Sequence, residues 1–221
     1  MPRERRSFKR ITGVRDPSLI VIACEGAATE PVYFEGVESQ CKAIGSRLKL
    51  KILPPRKGNL SAPKHVLEQM DSYKKEFGLN TGDELCLVID RDPQSWTEQA
   101  ISDIARDCDS KQYLLALSNP AFDLWLLLHH VDVDDHPAEE RATLFQNRNS
   151  ALKNKLREKI TGYRSSSPDI DDFWPYTELA IARAQALDTV PGTRWPNTLG
   201  TRVYLILQKI LDALHKAEHR A

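Results

Sequence analysis

Leu85-Cys-Leu-Val-Ile89 runs directly into Asp90-Arg91-Asp92-Pro93. A short aliphatic run stopped by charge and proline reads as a buried strand with a tight exit, because helix stripes are longer and periodic. The same pattern stands upstream, where Leu19-Ile-Val-Ile-Ala-Cys24 ends at Glu25-Gly26. Between the two, residues 48–53 alternate aliphatic and basic side chains until Pro54-Pro55, as a half-exposed or edge strand does. Residues 112–117 supply a fourth strand. Helical segments intervene. One starts at about Thr29, with Pro31 in its first turn and Tyr33, Phe34 and Val37 on its inner face. Another covers 63–77, with Val66, Met70, Tyr73 and Phe77 along one stripe, and a third covers 97–107. Strands alternating with helices predict an α/β fold with a mainly parallel four-stranded sheet flanked by helices. The rest reads as helical: 121–130 short and apolar, 139–161 long and basic, 176–188 rich in alanine, 199–217 amphipathic. The expected organisation is a basic arm over 1–17, an α/β core over 18–135, and a helical extension over 136–221 packed on that core.

The 221 residues are 41% hydrophobic and 28% charged, which suits one globular domain with a sizeable core. No stretch approaches the ~20 apolar residues of a membrane span. The basic N-terminus is not followed by the apolar run and small-residue cleavage site of a signal peptide. A cytoplasmic protein without a membrane partner is therefore expected. Of the four cysteines, Cys24 and Cys86 fall in strands and Cys41 and Cys108 in helices, with no CxxC pair, so they read as plain thiols. With 31 basic and 31 acidic residues, bulk charge selects no partner. Its distribution is more telling: Arg3, Arg5, Arg6, Lys9, Arg10 and Arg15 face only Glu4. Such an arm is able to bind phosphate backbones, or it is simply a solvated terminus.

Ligands of open parallel sheets gather at the carboxyl ends of the strands. Two of the four strands end there in carboxylates, Glu25 after the first and Asp90 with Asp92 after the third. Mg²⁺ is held by one or two carboxylates with water and substrate phosphate. Two aspartates spaced by two in an extended exit point the same way and can share one ion. Like charges this close call for a cation. A single acid at a strand end is explained equally well by a turn or a cap. The pairing of two such exits favours metal.

Other residues carry paired readings. Ser118-Asn119-Pro120 before Asp123 resembles a capped helix start with an acid at the positive dipole end. Following the fourth strand directly, Asn119 and Asp123 also stand beside the acidic exits, where Asp123 would bind a second metal or orient its water. His129 and His130 close that helix and gain from its negative end; alternatively His129 serves a scissile phosphate as general acid. Arg56, Lys57 and Arg91 are candidate phosphate contacts. Lys153, Lys155, Arg157 and Lys159 stud a helix that is either a solvated face or a further contact. Gly26 is expected at positive φ in the abrupt exit, and Glu30 in a first helical turn suits the dipole. Tyr33 falls on an apolar face, leaving no tyrosine assignable as a nucleophile.

The strand–Glu25-Gly26 and strand–Asp90-Arg91-Asp92 exits resemble the Toprim fold of topoisomerases, primases and certain nucleases. More narrowly, the chain is similar to the RloB-like family of prokaryotic defence-associated proteins. The likeness lies in the basic start, Cys24-Glu-Gly-Ala-Ala-Thr-Glu-Pro-Val-Tyr-Phe34, Val88-Ile-Asp-Arg-Asp92 and Ser118-Asn-Pro-Ala-Phe-Asp-Leu-Trp-Leu-Leu-Leu-His129. Trp195-Pro-Asn-Thr before an amphipathic helix adds to it. The resemblance implies a Toprim-like core, nucleic-acid cleavage in anti-phage abortive infection and, for part of the family, an ATPase encoded alongside. Its acidic positions carry over onto Glu25, Asp90 and Asp92, with Glu30 as a neighbour. The family commonly has Glu where this chain has Asp123, and the shorter side chain suggests support through water. The expectation is a nuclease dependent on Mg²⁺ or Mn²⁺ and acting on DNA or RNA, with a homo-oligomer compatible. The alternative is a non-catalytic subunit that senses nucleotide or nucleic acid and regulates a partner ATPase.

Overall fold

Side-chain alternation along the first strand, β1 (Leu19–Cys24), divides the protein into two layers. Ile20, Ile22 and Cys24 enter one apolar cluster, and Val21 and Ala23 enter the other. The structure is a computed structural model that describes residues 19–56, 62–80, 82–92 and 96–218. The arm expected over 1–17 and Lys57 lie outside the described residues.

The chain continues through α1 (Thr29–Ala43), β2 (Lys49–Ile52), α2 (Pro63–Phe77), β3 (Glu84–Asp90), α3 (Glu98–Lys111) and β4 (Leu114–Asn119). Then come α4 (Asp123–Leu128), α5 (Ala138–Gln146), α6 (Ala151–Lys159), α7 (Thr177–Leu187), β5 (Gly200–Thr201) and α8 (Tyr204–Glu218). The sheet order is β2-β1-β3-β4-β5; the first four strands are parallel and β5 is antiparallel to β4. Helices α2 and α3 cover the Val21 face. On the other face α1, α4, α6, α7 and α8 share one core with the sheet, and every residue of α4 is buried.

Three expectations need correction. The sheet has five strands, because residues 118 and 119 pair with 201 and 200 and the Ser118 and Thr201 hydroxyls hydrogen-bond at 2.8 Å. A two-residue Gly-Thr strand has no hydrophobic alternation to betray it, so the last helix begins at Tyr204 rather than near 199. The long basic helix over 139–161 breaks in the middle, where Asn147, Asn149 and Ser150 take positive φ of 46°, 52° and 56°. Asparagine tolerates that conformation, which ends α5 and lets α6 leave in a new direction. The capped helix start at 118–120 is also absent: Ser118 and Asn119 belong to β4, and α4 starts at Asp123 without a side-chain cap.

All four cysteines are buried and free. Among the described residues no helix is long and apolar enough to cross a membrane. Because β1 lies between β2 and β3, the connections diverge beyond the carboxyl ends of β1 and β3, the switch point at which open α/β sheets offer a crevice to ligands.

Candidate functional site

The crevice is built from strand exits tied to one another. The Glu25 amide, just past β1, still donates to the Val88 carbonyl of β3 at 2.9 Å. The Glu25 carboxylate then turns across to β3, where Oε2 accepts from the Asp90 amide at 3.1 Å and Oε1 from the Trp96 indole at 3.0 Å. Asp90 ends β3, and its Oδ1 accepts from the Phe122 amide at 2.8 Å, joining the strand to the entrance of α4. Asp123 opens α4 and is 7% exposed. Glu30, in the first turn of α1 and 6% exposed, folds back over Gly26 so closely that a Cβ on Gly26 would overlap its carboxylate. Gly26 therefore leaves room for this close approach. Its expected positive φ is not found; among the described residues the glycines at positive φ are Gly45, Gly78, Gly82 and Gly162.

Four carboxylates thus share one neighbourhood. Burial pushes Asp90 well above the usual carboxylate range, and Glu30, Glu25 and Asp123 push it further. Glu25 rises to about 7, through burial and Glu30, against the Asp90 amide, the Trp96 indole and Arg56. Glu30 is raised by burial and by Asp123, and Asp123 by burial. Lys153 opposes the rise at both Glu30 and Asp123, and Arg157 opposes it at Asp123. Asp123 Oδ1 is buried and has no hydrogen-bond partner among the described residues.

The donors are all hard oxygen atoms, which fits Mg²⁺ or Mn²⁺, and Asp123 Oδ1 is an acceptor still unsatisfied. Among the described residues no group of three or more His, Cys, Asp and Glu is arranged to hold an ion by itself. The arrangement suits a cation that keeps most of its water and takes one or two carboxylates.

The remaining expected residues fall in different places. Asp92 has φ of 23°, its amide donates to Pro120 O at 3.2 Å, and its carbonyl accepts from the Trp96 amide at 3.1 Å. The exit from β3 is turned there, so the extended geometry that would align Asp90 with Asp92 does not hold. Arg91 donates through Nη1 to Trp96 O at 2.9 Å. Arg56 clamps the β1 exit, donating from Nη1 to Cys24 O at 2.9 Å and from Nη2 to Glu25 O at 2.7 Å. Instead of capping a helix, Asn119 donates from Nδ2 to Pro196 O at 2.9 Å, fastening the Trp195-Pro-Asn-Thr segment to β4.

His129 does not join the carboxylates. It is 1% exposed, ringed by Trp125, Tyr33 and Phe173, and burial lowers its pKa to about 3. Nδ1 donates to Trp125 O at 2.9 Å, which leaves Nε2 as acceptor toward the Tyr33 hydroxyl at 3.4 Å. A neutral imidazole bridging α4 to α1 is a packing element, which the sequence reading as a general acid did not anticipate. Conversely, Glu30 is more central than a helix-dipole residue. Its signal was the glycine beside Glu25, which makes room for it. Trp96 left no signal, since its role depends on a loop conformation.

No curated protein and no solved structure matches the chain significantly. The family model described as RloB-like protein matches residues 20–210, a span containing all four clustered carboxylates and every element from β1 into α8, and the chain belongs to the RloB-like family.

Proposed function

We propose that the protein is a Toprim-type nuclease dependent on Mg²⁺ or Mn²⁺, cutting DNA or RNA in anti-phage defence, with an ATPase encoded alongside as its partner. The observation that carries this reading is the convergence of Glu25, Glu30, Asp90 and Asp123 at the switch point of a parallel sheet, each raised by burial. Catalytic acids and metal ligands are found where burial and like charge act together. Asp90 and Glu25 would hold the ion, with Asp92 on the adjoining turn and Asp123 reaching it through water. When bound, such an ion polarises a phosphoryl oxygen and lowers the pKa of water.

The chain's own groups supply the rest. The Asp90 amide and the Trp96 indole fix the Glu25 carboxylate in one orientation, so its geometry is set before substrate arrives. The Phe122 amide does the same for Asp90. Asp123 Oδ1, which lacks a partner among the described residues, would accept a hydrogen bond from an attacking water. Arg91, held by Trp96 O, offers its remaining guanidinium donors to charge developing on the phosphate.

Purified protein incubated with plasmid and with tRNA, in Mg²⁺, Mn²⁺ or EDTA, tests the reading. Metal-dependent strand scission, abolished in a folded Asp90→Asn variant, is expected. Binding without scission under every metal condition would replace it with the sensing-subunit alternative. Co-purification with an ATPase encoded by a neighbouring gene tests the defence setting.

A further inference from the structure

Helix α6 packs against α4 and carries two cations, Lys153 and Arg157, near the carboxylates. Leu152 and Leu156 are buried and seat α6 against α4, the helix that Asp123 opens. Lys153 and Arg157 follow those leucines by one position and lie four apart, so they form a ridge on one side of the helix. Lys153 is half-buried and Arg157 exposed. Among the described residues Lys153 makes no direct ion pair, and Arg157 uses Nη1 only for Asn154 Oδ1 at 2.9 Å. Both nonetheless act on Asp123, and Lys153 acts on Glu30 as well. They stand near the carboxylates without closing on them. Lys155 contrasts with them, being paired with Glu140 at 2.7 Å.

A second observation lies in the same space. Just past α6, the Tyr163 hydroxyl is buried and, like Asp123 Oδ1, has no hydrogen-bond partner among the described residues. Asp123, Arg157 and Glu30 all act on Tyr163, so the hydroxyl belongs to this corner. Buried polar atoms are nearly always satisfied, and two left open on elements that pack together, Asp123 at the start of α4 and Tyr163 just past α6, suit a polar ligand. Cations beside the carboxylates but not paired with them, and an open hydroxyl donor in the same corner, match the chemistry of a phosphate group.

We infer that Lys153 and Arg157, with the Tyr163 hydroxyl, form a phosphate-binding wall that takes one backbone phosphate of a nucleic-acid strand across the crevice from Glu25 and Asp90. The inference rests on the nucleic-acid reading of the site but not on cleavage. The competing role is that of a counter-charge that merely relieves Glu30 and Asp123.

Fluorescence anisotropy of a labelled single-stranded oligonucleotide, titrated in EDTA at several salt concentrations, separates the two. Lys153→Gln and Arg157→Gln should each weaken binding roughly ten-fold and reduce the salt slope by about 0.7, the loss of one phosphate contact. Lys153→Arg should restore most of the affinity. Lys159→Gln, an exposed change of the same charge on the same helix, should leave affinity and slope near wild type. Tyr163→Phe should weaken binding without changing the slope. Wild-type affinity and slope in both Lys153→Gln and Arg157→Gln would overturn the wall, as would a wild-type protein that binds no strand. If binding follows the expected pattern but no metal produces scission, the wall stands and the nuclease reading falls. If scission is metal-dependent but the α6 variants bind normally, the wall alone falls.

Discussion

Two groups of buried charge lie at opposite ends of the same α/β fold's logic. In the first, Asp188 is gripped by Arg202 through Nε at 2.9 Å and Nη2 at 3.1 Å, and it also accepts from the Tyr204 hydroxyl at 3.0 Å. The same guanidinium donates to the carbonyls of Val190, Pro191 and Thr193, stitching the loop after α7 to the start of α8. Opposite charges meet in a two-pronged geometry, and the donors are spent on acceptors. In the second, Glu25, Glu30, Asp90 and Asp123 crowd together at the strand exits; among the described residues Lys153 makes no ion pair with them and Asp123 Oδ1 is unsatisfied. The closed network holds a loop in place. The open one keeps like charges together at raised pKa, as a binding site for a cation and its ligand does.

The closed network should show the largest loss of stability on substitution. Arg202→Met leaves Asp188 buried without its counter-charge, and removal of one partner from such a pair destabilises by about 3–5 kcal/mol. Denaturant unfolding should report that loss, with divalent-ion binding by the surviving folded fraction unchanged. A variant as stable as wild type would erase the distinction between the two networks.

The open network should respond to pH instead. Glu25 is raised from 4.5 to about 7 in the folded protein, so the folded state holds its proton more tightly than the unfolded chain. Its contribution to stability is complete below about 4.5 and declines as pH rises toward 7, by up to about 3 kcal/mol. Metal-free melting curves across that range should fall with pH, and Glu25→Gln should flatten the fall. A wild-type profile that rises through the same range, unchanged by Glu25→Gln, would contradict the assigned effect of burial and of Glu30 on this carboxyl.

A smaller gain is expected for Asp90→Asn. The amide oxygen can still accept from the Phe122 amide while the charge beside Glu30 and Glu25 disappears. Metal-free melting temperature should rise by a few degrees, about 1 kcal/mol for a chain of this size. Lower stability than wild type would mean that Asp90 is paired rather than crowded. The smallest change is expected for Gly26→Ala, which forces the end of the flexible Glu30 side chain aside and should lower stability by about 1 kcal/mol. Its informative readout is divalent-ion affinity, which should fall if Glu30 belongs to the site.

The strand exits were legible because a buried parallel strand is an uninterrupted aliphatic run, and its end is marked by the first charge. That logic located Glu25, Asp90 and the first four strands, but not their order in the sheet. It missed β5, two residues long and held by pairing with Ser118 and Asn119, because strand pairing leaves no local pattern. It treated 139–161 as one helix, because the breaks at Asn147 and Asn149 depend on backbone conformations that either residue accepts without requiring. In the site, Asp92 and His129 looked suitable by spacing. A turn at positive φ changes the direction of the first segment, and an aromatic cage encloses the second. Glu30, Asp123 and Lys153 come from α1, α4 and α6, so their meeting is a fact of packing that no single stretch of sequence records.

Calorimetric titration of Mn²⁺ or Mg²⁺ into metal-free protein near neutral pH, repeated in buffers of different ionisation enthalpy, tests the central claim most directly. Carboxylates raised by burial and mutual repulsion must lose protons when a cation binds. The account predicts saturable binding coupled to proton release, lost in Asp90→Asn and in Glu25→Gln but retained in Lys159→Gln. Absence of binding in the wild type, or undiminished binding in Asp90→Asn, would contradict it.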